Sequence, residues 1–148
     1  MKYFIFIALL LLHFSSEAQK QSTMETLKQD SLIIAQTLEN DYFNGIYNGD
    51  VEQLRKIYHP GTLLWGDVKG QPYAKTITEY LDGVGHRQSP KESGKPFKGE
   101  VLDIRVTNSI AVAEVRVKMY DFLYHEYLSF HKIDGKWLLV NKMISDVL

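Results

Sequence analysis

Apolar positions change their spacing twice along this chain, and each change marks a structural boundary. Tyr3 through Leu12 is an unbroken apolar run, preceded by Lys2 and followed by Ser15-Ser16-Glu17-Ala18. A bilayer-crossing helix needs roughly 20 apolar residues, and this run ends near half that length. With small residues at Ser16 and Ala18 just before Gln19, residues 1–18 read as an export leader, which implies a periplasmic or secreted protein. Residues 19–30 are polar and read as a flexible lead-in. From Ser31 the spacing becomes helical, with Ala35, Leu38, Tyr42 and Ile46 at steps of three and four and Phe43 and Tyr47 extending that side. Asn48-Gly49 stops this helix, because glycine accepts the left-handed conformation at a helix C-terminus.

Asp50 then caps a second, short helix with Gln53 at the capping-box position, and His59-Pro60 ends it. Thr62–Trp65 reads as a short strand. Thr76 and Glu79 open a third helix through another capping box, with Ile77, Tyr80, Leu81 and Val84 as its stripe. Gln88–Pro96 is too rich in proline, glycine, serine and charge to be other than a surface loop.

Beyond that loop the period falls to two. Strands are expected over Val101–Thr107, Ile110–Met119, Tyr124–Ile133 and Lys136–Val147, with turns at Asn108-Ser109 and Asp134-Gly135 and a loop at 120–123. Asp-Gly between two such runs is a strong hairpin signal. A two-residue turn there pairs Lys132 with Trp137, Phe130 with Leu139, Leu128 with Asn141 and Glu126 with Met143. A similar turn at Asn108-Ser109 pairs Val106, Ile104 and Leu102 with Ala111, Ala113 and Val115. One face of this sheet is apolar and should meet the helices. The pattern predicts an α+β domain over residues 31–148, three helices packed on a curved antiparallel sheet.

The other face of the last hairpin is less polar than open solvent favours. Tyr127, Ser129, His131, Leu138 and Val140 lie on it, which points to a homodimer through that surface.

Composition narrows the function classes. The 148 residues carry 17 Lys+Arg against 18 Asp+Glu, a net charge of −1, and no cysteine. Near-neutral charge argues against a nucleic-acid partner, which needs a concentrated basic surface. Without cysteine there is no disulfide, thiolate metal site or lipidated cysteine anchor, so no membrane attachment is expected once the leader is removed. The 5 histidines do not gather into a metal site: His125 and His131 share a strand face but lie about 20 Å apart along it. No phosphate-binding glycine loop, dinucleotide fingerprint or nucleophile elbow is present, and no cofactor is expected.

By the last hairpin several segments stand in a recognisable order. Gly45-x-Tyr47-x-x-Asp50, Tyr58-His59-Pro60, Glu79-Tyr80 with Arg87, Glu126-Tyr127-Leu128-Ser129-Phe130, and Lys132 to Trp137 followed by Asn141-Lys142 together resemble the putative lumazine-binding family. That family lies within the nuclear-transport-factor-2-like (SnoaL-like) superfamily. The resemblance implies a cone-shaped α+β barrel with a cavity at its open end, often dimeric through the sheet. Its members include isomerases, cyclases, dehydratases and binding modules, so the resemblance leaves chemistry open. Glu126 departs from the family pattern, which often has Asp there.

Within such a cone, a ligand pocket is expected to draw on Tyr42, Tyr47, Trp65, Tyr80, Arg87, Tyr124, Glu126 and Asn141. The tyrosines and the tryptophan offer flat walls with polar tips. Arg87 either meets an anionic ligand or caps the third helix, and Asn141 either grips a ligand or braces a helix end. Glu126 is the best candidate for a general base, placed beside Met143 and Val117 on the inward face. The first reading is a binding protein for a small planar or apolar molecule, without turnover. The alternatives are a small isomerase, cyclase or dehydratase using Glu126, and a non-catalytic dimerisation module.

Overall fold

The computed structural model describes residues 2–147, with side chains from residue 19 onward. The side chains of the expected leader, residues 1–18, lie outside that description. Helix α1 (Lys2–Thr37) runs through residues 19–30 without a break and leads into a π-helical turn, Leu38–Phe43, and α2 (Asn44–Asn48). Its exposed middle ends at Asp30, which is buried. From there Ile34, Leu38, Tyr42, Phe43 and Ile46 all enter the core. The wider π turn brings the neighbours Tyr42 and Phe43 inward together. Tyr47, expected on the same side, instead stays at the surface against Phe97, ring centroids 5.4 Å apart.

Local capping follows the sequence closely. Gly49 takes φ 70 at the end of α2. Asp50 accepts the Gln53 backbone N–H at 2.9 Å to open α3 (Val51–Arg55), while the Gln53 side chain donates to the Asn40 carbonyl instead of closing the capping box. Thr76 and Glu79 form a full capping box at the start of α4 (Ile77–His86). The loop expected at Gln88–Pro96 contains one more short helix, α5 (Pro90–Ser93), opened by a Ser89–Glu92 capping box.

The sheet has six strands: β1 (Tyr58–Val68), β2 (Gln71–Thr76), β3 (Phe97–Thr107), β4 (Ile110–Met119), β5 (Phe122–Ile133) and β6 (Lys136–Asp146). Their spatial order is β2-β1-β6-β5-β4-β3, so the sheet stays open, with β2 and β3 at its edges. All neighbours are antiparallel except β1 and β6, which run parallel. Two corrections concern the start of the sheet. The strand expected at Thr62–Trp65 extends far beyond both ends, and β2 follows it through a tight turn at Lys69-Gly70. β1 and β6 approach so closely at Gly66 that a Cβ there would stand 1.7 Å from the Ile144 carbonyl oxygen.

Register supplies the consequential corrections. The last hairpin begins as expected, Lys132 opposite Trp137 and Phe130 opposite Leu139, but a bulge follows. Beyond it Ser129 faces Asn141, Leu128 faces Lys142 and Glu126 faces Ile144. One extra residue reverses the faces of everything after it, so Lys142 and Ile144 turn inward while Asn141 and Met143 turn outward. The β4–β5 turn is two residues shorter than expected, with Met119 opposite Phe122, which sets Glu126 opposite Val115 instead of Val117. In the first hairpin Val106–Ala111 and Ile104–Ala113 pair as expected. A bulge then makes Val101 the partner of Val115 and leaves Leu102 exposed.

Candidate functional site

The inner surface of β4, β5 and β6 meets the helices over Ala113, Val115, Val117, Leu128, Phe130 and Leu139, all buried. Into this apolar surface the chain sets a carboxylate, an amine and a phenol. Glu126 and Lys142 have side chains only 2% and 3% exposed, and Tyr42 is fully buried. Lys142 Nζ lies 2.6 Å from Glu126 Oε1 and donates to the Tyr42 hydroxyl oxygen at 2.7 Å. Tyr42 in turn donates to Glu126 Oε2 at 2.5 Å. The three groups close a ring of hydrogen bonds that uses both oxygens of the carboxylate. The ammonium keeps one of its three N–H donors outside that ring, and it sits over the Tyr42 and Tyr80 rings at 5.3 and 5.4 Å.

Burial also raises the neighbouring phenols. It pushes the Tyr42 hydroxyl well above its ordinary value of 10.0, reinforced by the negative charge of Glu126. Tyr58, whose ring centroid is 6.4 Å from Tyr42 and 6.0 Å from Tyr80, is raised for the same first reason and then by Tyr80 and Glu126. Both are protonated at neutral pH; Tyr42 donates to Glu126, while the buried Tyr58 hydroxyl has no hydrogen-bond partner.

Glu126 and Lys142 form the floor of a cavity of about 290 Å³, room for roughly ten water molecules at their liquid volume. Val117 and Met119 of β4 and Ile144 of β6 make its apolar wall, with Ile46 and Val68 completing it. Tyr124 of β5 stands beside Val117 on that same sheet face, and Tyr73 and Lys75 of β2, Tyr80 and Gly83 of α4 and Arg87 just beyond α4 complete the lining. Burial carries the Tyr73 hydroxyl up to about 12 and raises that of Tyr124 as well. The backbone N–H of Arg87 caps α4 by donating to the Gly83 carbonyl. Its side chain is free of that duty, and its Nε and Nη2 are shielded from solvent without a hydrogen-bond partner.

Of the residues expected to line a pocket, Tyr80, Arg87, Tyr124 and Glu126 do so, and Tyr42 lies beneath the floor bonded to Glu126 and Lys142. Three do not. Tyr47 is held outside against Phe97, and Trp65 is 51% exposed on the outer face of the sheet. Asn141, turned outward by the bulge, donates to the Leu63 carbonyl at 3.3 Å. Lys142, Tyr73 and Lys75 were missed: the first because the bulge is silent in the sequence, the others because β2 was not foreseen. The Lys69-Gly70 turn, with φ 56 and 67, was the available signal.

On the outer face Trp65, Met143 and Tyr127 lie in one row across β1, β6 and β5, all exposed. His131 is exposed beside them, with Ser129, Leu138 and Val140 half-buried. Among the described residues no cluster of three metal-ligating side chains occurs, and no helix is long and apolar enough to cross a membrane.

Helices held in an open, curved six-stranded sheet place the fold in the NTF2-like class. NTF2-like proteins of unknown function from Shewanella baltica OS155 and Silicibacter pomeroyi DSS-3 share the fold, each with a TM-score of 0.71. The first is 20% identical, covering 81% of this chain and 95% of its own; the second is 14% identical, covering 81% and 98%. Within that class, the chain belongs to the putative lumazine-binding family, whose model it matches over residues 30–145. It is also 26% identical over 102 residues to the aldolase FrzH of a Cladobotryum species, covering 69% of this chain and 80% of that protein.

Proposed function

We propose that this protein binds a small molecule in the 290 Å³ cavity, with Glu126 and Lys142 meeting the ligand's polar group. One observation carries the reading: a buried charged pair forms the floor of an otherwise mainly apolar cavity, the usual construction of a small-molecule site. Membership of the putative lumazine-binding family supports it. Gly83 provides the test. A Cβ added there meets only Lys75 Nζ, at 4.0 Å, so a larger side chain has space to enter the cavity from α4. Thermal-shift and calorimetric titration of a panel of small heterocycles and carbonyl compounds should find binders for the native protein that Gly83→Leu rejects. Equal binding by both proteins would refute the site.

A second reading is proton-transfer catalysis, with Glu126 as base for a carbon acid beside a carbonyl and the Lys142 N–H receiving the oxygen's developing charge. It is favoured by a carboxylate and an N–H donor standing side by side in the cavity lining. The aldolase relative adds weight, since aldol chemistry moves a proton at such a carbon. Deuterium uptake from heavy water by simple ketones, abolished in Glu126→Gln, would establish it; no exchange above the buffer rate would exclude it for those ketones.

Two further proposals concern setting. The leader-like residues 1–18 support export, checked by whether the mature protein begins at Gln19. The exposed row Trp65–Met143–Tyr127, continued by His131, supports a homodimer through the outer sheet face.

A further inference from the structure

The polar lining of the cavity is unbalanced in charge. Glu126 is the one carboxylate among its described lining residues, and its oxygens are already taken by Lys142 and Tyr42. Lys75 and Arg87 add two positive charges to the lining. Among the described residues neither has a carboxylate in ion-pair range: Glu79, the acidic group near Lys75, turns Oε2 onto the backbone N–H and hydroxyl of Thr76. Lys75 Nζ instead lies over the Tyr73 ring, 5.4 Å from its centroid.

Arg87 is more specific than a bare charge. Its Nε and Nη2 form one edge of the guanidinium, and both are shielded from solvent with no partner. Two desolvated donors left empty are costly. Their N–H bonds run side by side, at the spacing of the two oxygens of a carboxylate. Tyr73 and Tyr124, each carrying a phenol hydroxyl, line the same cavity as Arg87.

We propose that the cavity takes a small organic monocarboxylate, its carboxylate seated on the Nε/Nη2 edge of Arg87 with Lys75 alongside. The ligand's apolar body then lies against Val117, Met119 and Ile144, and its far end reaches the Glu126–Lys142 floor. This rests on the cavity being a ligand site and adds the charge class that the site selects.

Matched pairs test it: benzoate with benzamide, cinnamate with cinnamamide, hexanoate with hexanamide, each titrated into the native protein. The carboxylates should bind about 10- to 100-fold tighter than their amides, the span of charge-assisted hydrogen bonds. Arg87→Gln should erase that preference while leaving amide binding in place, and Lys75→Met should reduce it. Should Arg87→Gln fail to fold, the native protein still answers: benzoate must shift the Arg87 Nε–H resonance in a nitrogen-proton NMR spectrum and benzamide must not. Amides binding as well as carboxylates, or an unmoved Arg87 resonance under saturating benzoate, overturns the carboxylate inference and leaves the cavity reading standing. Absence of binding by every pair overturns the carboxylate inference, and binding unchanged in Gly83→Leu overturns the cavity reading with it.

Discussion

Replacing Lys142 with methionine removes one partner of the buried pair and is the most discriminating perturbation this site offers. Methionine keeps much of the side-chain volume, so the main loss is the charge and its hydrogen bonds. Glu126 Oε1 then has no donor within a site 2% exposed, and Tyr42 supports only the other oxygen. Breaking a buried pair from one side costs about 3–5 kcal/mol, which for a domain of this size lowers the melting temperature by roughly 10–20 °C. Glu126→Leu alone strands the ammonium and should cost a similar amount. The double variant removes both charges, leaving an orphaned Tyr42 hydroxyl worth about 1–3 kcal/mol. It should therefore lie well above the sum of the two losses, by at least about 2 kcal/mol in a cycle measured by urea unfolding at neutral pH. Adding Tyr42→Phe should recover most of the remainder. Single losses that simply add, within about 0.5 kcal/mol, would refute the reasoning, because the three groups would then not share one network.

Three other outcomes follow from the geometry. Asp30 ties α1 to the last hairpin through Lys132 Nζ at 2.8 Å and Trp137 Nε1 at 3.0 Å; Asp30→Asn should cost about 1.5–3 kcal/mol at pH 7 in urea unfolding. Burial pushes the Asp30 carboxyl up, but those two hydrogen bonds and the Lys132 charge outweigh it and hold it below the ordinary 3.8. The carboxylate's contribution is thus complete above about pH 4 and fades as pH falls through the folded-state value, so the gap between native and variant should narrow there. Gly66→Ala, which drives a methyl into the Ile144 carbonyl at a φ of 149, should cost about 2–6 kcal/mol through strain and overpacking; unchanged unfolding would contradict the close β1–β6 approach. The homodimer proposed through the outer face predicts a dimer mass by light scattering for the native protein, which Met143→Glu with Tyr127→Glu, both on the exposed outer row, should reduce to monomer without lowering helix content.

Signals that depend on a few neighbouring residues were readable from the chain alone. The Thr76–Glu79 capping box, the Asp50 cap and the Asp134-Gly135 turn each act within four residues, and each appears where the pattern put it. What escaped is decided across strands. The bulge near Val140 adds one residue to β6 with no mark in the sequence, and it exchanges Asn141 for Lys142 at the cavity floor. Because a strand's faces alternate, an error of one residue moved a lysine from water to the core, whereas the two-residue error in the β4–β5 turn left Glu126 on its inward face. The edge strand β2 escaped for another reason. Pro72 and its polar neighbours lack an apolar alternation, which is tolerable only at a sheet edge. Its two inward positions, Tyr73 and Lys75, were lost with it.

Charge was the other place where an average concealed the arrangement. A net charge of −1 describes an electrically quiet chain, yet the fold gathers Lys75, Arg87 and Lys142 around one carboxylate. Stability does not account for that gathering. A buried ion pair can often be exchanged for packed apolar side chains with no loss, and sometimes with a gain, and an arginine edge without partners adds nothing favourable to the fold. The buried ion pair and the unpartnered arginine edge border the same cavity. A variant with Tyr42→Phe, Lys142→Met and Glu126→Leu together should consequently melt close to the native protein, or above it. It should lose affinity for whatever the cavity holds. Retained binding in that stable variant would mean that the polar floor serves the fold and that recognition rests on the Arg87 wall alone.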